Sequence, residues 1–74
     1  MPKSFYAFLK TCTGRDDPIG DFASDARQDR QFPRQTTSWS RIQGYLVMRG
    51  ACREAKAAGR EVFDLFAFSQ HGRP

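Results

Sequence analysis

Apolar side chains recur along this chain at the spacing of buried helical faces. Phe5, Phe8, Leu9 and Cys12 fall at i, i+3, i+4 and i+7, with Tyr6 beside them. Ser4 precedes them as a good N-cap, and Gly14 supplies a stop. A second helix is announced by Asp17-Pro18, a capping residue followed by a proline at the first helical position. Ile19, Phe22, Ala23 and Ala26 give its inner face, and Phe32-Pro33 ends it because the residue before proline disfavours helix. Thr37 or Ser38 caps a third helix whose inner face is Trp39, Ile42, Tyr45 and Leu46. Gly50 closes it. Arg41 lies outside that face, while Val47 and Met48 fall on another side, so this helix is expected to be central and packed on two sides. The fourth helix spans about residues 51–68, with Cys52, Ala55, Gly59, Val62, Phe63 and Phe66 on one stripe. Gly59 costs about 1 kcal/mol against alanine inside a helix. It either admits a close neighbour or splits the element, and a continuous helix is the expectation. Ser69 to Pro74 has no apolar periodicity and reads as a flexible tail, 69–74, after a helical domain, 1–68.

No strand alternation, repeat or low-complexity tract interrupts this pattern. The fold class it predicts is all-α: a single four-helix bundle with short connections. A chain of 74 residues is one domain, and it must stabilise its core with a few large side chains. Seven Phe, two Tyr and one Trp are available for that. Cys12 and Cys52 form no close-spaced motif. Two buried apolar thiols are expected, with a single bridge between them as the alternative. Met1-Pro2-Lys3-Ser4 carries no signal-peptide pattern, and no apolar run, Tyr45 to Met48 included, is long enough for a membrane span. The expected compartment is the cytoplasm.

Several segments together resemble a known family. The chain opens Ser4-Phe5-Tyr6-Ala7-Phe8-Leu9. After the Asp-rich helix comes Asp29-Arg30-Gln31-Phe32-Pro33-Arg34-Gln35-Thr36-Thr37-Ser38-Trp39, then Ile42, Tyr45-Leu46 and Phe63-Asp64. This resembles the YozE-like family of small bacterial proteins over about residues 3–68, and the resemblance implies a four-helix, sterile-alpha-motif-like fold. Arg30 stands where the family often has His, and Ser38 where it often has Asp. Phe66 and Phe68 occupy the region of a family Trp and Tyr. Residues 51–60 are more basic than the usual pattern, so a shared surface on the fourth helix does not carry over. The family implies no activity. Nucleic-acid binding has been suggested for it only by analogy between folds, which does not by itself establish function.

Charge divides the chain unevenly. Residues 1–31 carry five basic and five acidic side chains, whereas residues 32–60 carry Arg34, Arg41, Arg49, Arg53, Lys56 and Arg60 against Glu54 alone. Arg53, Lys56 and Arg60 lie at i, i+3 and i+7, opposite the apolar stripe. A solvated outer face is the plain reading. Nucleic-acid phosphate, on DNA or RNA, and an acidic protein partner are the functional ones. Arg34, Arg41 and Arg49 would widen the patch if helices three and four pack side by side. No aromatic interleaves with these residues in sequence, so phosphate contact rather than base stacking is the expected mode. Asp21, Asp25 and Asp29 recur every four residues on helix two. Along one straight face they do not converge as metal ligands. They read as solvated, or as an acidic docking face that would suit head-to-tail self-association with a basic helix four.

Catalytic chemistry is not written here. His71 is the one histidine and lies in the expected tail, the cysteines lack a base, and the glycines are scattered. Asp64 reads as a solvent-facing partner of Arg60, and Trp39 as core. No enzyme activity, cofactor, metal, membrane contact or small-molecule substrate is expected. The reading is an interaction module that binds nucleic acid through the helix-four face, or a protein-interaction domain using the acidic and basic helices.

Overall fold

Each helix begins and ends for a local reason. Ser4 Oγ accepts from the Ala7 amide at 3.1 Å and opens α1, Phe5–Lys10. The chain then turns tightly to Gly14, and Cys12 donates its amide to Leu9 at 2.8 Å. Asp17 accepts from the Gly20 amide at 2.9 Å and opens α2, Pro18–Gln28. Helix α3, Trp39–Met48, starts at Ser38, whose side chain makes no capping bond. Its end is a Schellman motif: Gly50 takes φ 71°, its amide reaches Val47 O at 3.0 Å, and the Ala51 amide reaches Leu46 O at 3.0 Å. A side chain at Gly50 would be strained in that left-handed conformation. Helix α4 is Arg53–His71. These elements come from a computed structural model, which describes residues 4–71.

Helix α4 is the hub. It packs against α1, α2 and α3, and α1 also packs against α2. Phe5, Leu9, Ile42, Val62 and Phe66 are the most deeply buried large side chains, and Phe22, Phe32 and Phe63 surround them. The described residues form four helices and no strand, as the apolar periodicity predicts. Helix α4 is continuous through Gly59. A Cβ there would lie 2.9 Å from the Phe22 ring and 3.3 Å from Leu46 Cδ1. The missing side chain therefore lets α2 and α3 approach the hub together.

Four expectations change. Helix α3 is peripheral, with Val47 61% and Met48 70% exposed, because the hub is already packed on its other sides. Helix α4 begins two residues later than expected, so Cys52 lies just outside it and is exposed, while Cys12 is buried and both thiols are free. The same helix runs past residue 68 to His71, with Ser69 Oγ donating to Phe66 O at 2.8 Å. No breaker precedes Gly72. Residues 72–74 of the expected tail, and Met1 to Lys3, lie outside the described residues. Finally, α2 stops at Gln28. Asp29 leaves the helical conformation at ψ 108° and accepts from the Gln31 amide at 3.0 Å, an Asx turn that competes with another helical turn. Phe32 thereby swings back into the core.

Candidate functional site

The sequence-predicted basic residues divide between two sides of α3. Arg53, Lys56 and Arg60 line one groove between α3 and α4, of about 370 Å³, with Trp39 and Gln43 on the facing helix. Arg60 lies 5.1 Å from the centre of the Trp39 ring, and its Nε is 3.2 Å from Asp64. Trp39 is half-buried: its ring rests against Phe63 at 5.4 Å and presents its remaining surface to Arg60. A cation over an aromatic face is held by the ring quadrupole, by about 0.5–1 kcal/mol at exposed sites. The guanidinium is thus positioned in the groove by Trp39 and Asp64. Arg53 and Lys56 are exposed, and neither has an anionic side chain in contact among the described residues.

Arg41 and Arg49 do not join them. Arg41 lines the opposite flank of α3 beside Gly44 and Met48. Arg49 turns toward α2, 3.9 Å from Asp29 and over the Tyr45 ring at 5.7 Å. Arg34 sits over Tyr6 at 4.9 Å. The basic groove is therefore a property of α4 faced by Trp39, and the other arginines do not widen it. Trp39 is the groove residue that linear reading missed. Its helical phase with Ile42 and Leu46 marks it as core, and only the packing of α3 on α4 brings it to Arg60.

The acidic set divides too. Asp21 and Asp25 are exposed on α2 and line a groove against α4, where Glu54 joins them. Asp29 is not part of that solvated face. Its carboxylate accepts the Tyr45 hydroxyl, pinning the end of α2 to α3. Among the described residues no three His, Cys, Asp or Glu side chains converge to hold a metal ion.

The Tyr45–Asp29 bond sets two titrations. Tyr45 O–H, then the Gln31 amide and the charges of Arg49 and Arg34, hold the Asp29 carboxyl below its usual range, against the opposing effect of burial. Burial and the adjacent carboxylate raise the Tyr45 phenol. A depressed carboxyl stabilises the fold above its unfolded pKa of about 3.9, and that contribution is lost as pH falls through the lower folded value. The raised phenol contributes fully below about 10, and its share is lost as pH rises through the folded value. Tyr45→Phe is expected to cost about 1–2 kcal/mol near neutral pH. In urea melts the gap to wild type should narrow between neutral pH and a pH below the lowered Asp29 value, where the carboxylate is protonated. An equal gap at both pH values would contradict this bond's ionic character.

A four-helix bundle gathered on its last helix is of the sterile-alpha-motif-like class. The sequence model of the YozE SAM-like fold matches residues 4–67, and the chain belongs to that family. It is 32% identical over 73 residues to the UPF0346 protein YozE of Bacillus subtilis strain 168, covering 96% of this chain and 99% of that protein. A UPF0346 protein of Geobacillus kaustophilus is 32% identical over 68 residues, 89% of this chain and 94% of the relative. One from Enterococcus faecalis is 43% identical over 49 residues, 65% and 68% of the two chains. No solved structure matches. The relatives' names state no activity. No described helix is long and apolar enough to cross a membrane.

Proposed function

We propose that this protein is an interaction module that binds the phosphate backbone of nucleic acid through the α3–α4 groove. The observation that carries the reading is the co-location of Arg53, Lys56 and Arg60 in one groove, two of them without an anionic partner among the described residues and the third oriented by Trp39 and Asp64. Two or three phosphates match such a row. Each neutralised phosphate releases counterions, so affinity is chiefly electrostatic and independent of base sequence. Trp39 is half-covered by Phe63 and Arg60, which leaves little ring for a base to stack on and favours phosphate contact over base readout.

Binding of a fluorescent DNA duplex, followed by anisotropy, tests this. Wild type is expected to bind with a dissociation constant on the order of 10⁻⁴–10⁻⁶ M, with log K falling against log salt at a slope of roughly −2 to −3. Replacing Arg53, Lys56 and Arg60 together by Gln removes most of the binding. Arg41→Gln, on the other flank of α3, has a much smaller effect. Absence of binding at low salt, or a triple variant that binds like wild type, overturns the assignment.

A further inference from the structure

The opposite side of α4 carries an apolar cleft whose rim is acidic along α2 and the start of α4, with Arg49, paired to Asp29, at the far end. A cavity of about 220 Å³ lies where the end of α2, the end of α3 and the start of α4 meet. A second, of about 210 Å³, runs between α2 and the first turns of α4. They adjoin, for Phe22, Asp25 and Ala55 line both. The floor is apolar, with Phe22, Ala26, Leu46 and Ala58 along the two cavities. Asp21, Asp25 and Glu54 stand on the rim, and none has a cation or hydrogen-bond donor from another side chain among the described residues. Of the other carboxylates, Asp17 is matched by Arg15, Asp29 by Arg49 and Asp64 by Arg60, while Asp16 and Glu61, which stand apart from one another along the chain, form no ion pair among the described residues.

We infer that this cleft is a second docking surface, whose occupant is a basic amphipathic segment of a partner protein. An apolar floor rewards aliphatic side chains, and three unmatched carboxylates favour Lys or Arg flanking them, the pattern of a helix laid into a groove. A second copy of this chain does not offer that pattern. Its basic groove has the small Ala57 and the stacked Trp39 beside the charges, and no projecting aliphatic side chain. Its exposed Met48 lies near one cation, Arg41, that has no ion pair among the described residues. Leu65 and Phe68 have Glu61 and Asp64 nearby in the helix. With nucleic acid on one side of α4 and a basic segment on the other, the domain would act as an adaptor.

The exposed Cys52 thiol lines this cleft, whereas Cys12 is buried, so Cys52 serves as a built-in reporter. The probe is a synthetic peptide of about 15 residues with leucines at i, i+3, i+4 and i+7 and lysines flanking them, paired with a scrambled peptide of equal composition. The amphipathic peptide is expected to bind the full chain and to slow Cys52 alkylation several-fold. Asp21→Asn, Asp25→Asn and Glu54→Gln together weaken binding by about tenfold or more. Ala55→Leu, which fills the cleft without changing charge, weakens it also. The triple Gln variant of the basic groove does not weaken it. Equal binding of the scrambled peptide, wild-type affinity in the neutralised variant, or unprotected Cys52 overturns the inference. A concentration-dependent dimer lost in the neutralised variant assigns the cleft to a second copy, and overturns it as well.

Discussion

Phe5→Ala is expected to cost about 3–5 kcal/mol, the largest loss from removing one side chain here. Phe5 is fully buried, and its ring centre lies 5.0 Å from Phe63, 5.9 Å from Phe66, 6.3 Å from Phe32 and 6.5 Å from Phe22. It joins α1, α2, the α2–α3 connection and α4. Deleting the ring removes apolar burial and leaves a cavity among aromatic rings that can collapse only in part. Helix α1 has six residues, too few to persist without this anchor. A domain of this size has a total stability of only about 4–11 kcal/mol, so the variant is near the edge of folding. Urea denaturation reads the effect as a lowered midpoint at unchanged slope. Phe8→Ala provides the contrast: Phe8 is half-buried and meets one ring, Phe66 at 5.8 Å, so its loss is smaller. A Phe5→Ala penalty below about 1 kcal/mol would be incompatible with this core.

Gly20→Ala is expected to destabilise by about 3 kcal/mol or more, although alanine is the better helix former by about 1 kcal/mol. A Cβ on Gly20 would lie 1.8 Å from the Arg15 carbonyl oxygen and 2.7 Å from its carbon. That backbone cannot easily retreat. The Arg15 amide is bonded to Cys12 O at 3.1 Å, and its guanidinium is 2.8 Å from Asp17, which caps α2 through the Gly20 amide itself. Relieving the clash therefore breaks the turn that feeds α2. In a domain of this length each kcal/mol lowers Tm by about 4–8 °C, so a fall of more than about 12 °C is expected. Gly44 is the control: nothing lies within 4 Å of a Cβ there, and Gly44→Ala should leave Tm unchanged or raise it. A Gly20→Ala protein as stable as wild type would contradict the path of the α1–α2 turn.

The two glycines show what a linear reading can and cannot see. Ser4, Asp17-Pro18 and Gly50 announce helix boundaries because capping and left-handed turns depend on a few neighbouring residues. The stripes through Phe5 and Leu9, Ile19 and Phe22, and Val62 and Phe66 were legible because helical phase is local. Gly20 carries no such signal, since its constraint is a carbonyl five residues earlier brought back by a turn. Asp29 shares its four-residue spacing with Asp21 and Asp25, yet an Asx turn removes it from their face.

The candidate site was legible in the same partial way. Arg53, Lys56 and Arg60 share a face by helical phase alone, so their grouping was written in the sequence. Which other residues join them depends on how α3 is rotated against α4, which no spacing within either helix encodes. That rotation brings Trp39 to Arg60 and sends Arg41 and Arg49 elsewhere. It also exposes Val47 and Met48, because the hub is α4 rather than α3. Glu54 is alone among basic residues in sequence, and joins Asp21 and Asp25 only across the α2–α4 contact.

The claim that the α3–α4 groove is the nucleic-acid surface is tested most directly by mapping it. Backbone amide and Trp indole NMR signals of the labelled protein, titrated with a short DNA duplex at low salt, resolve each side of α4 separately. The expected result is shifts concentrated on Trp39, Gln43 and residues 53–60, fading as salt is added, with Asp21, Asp25 and Arg41 little changed. Shifts centred on the acidic cleft or on the Arg41 flank, or no shifts at all, would contradict it.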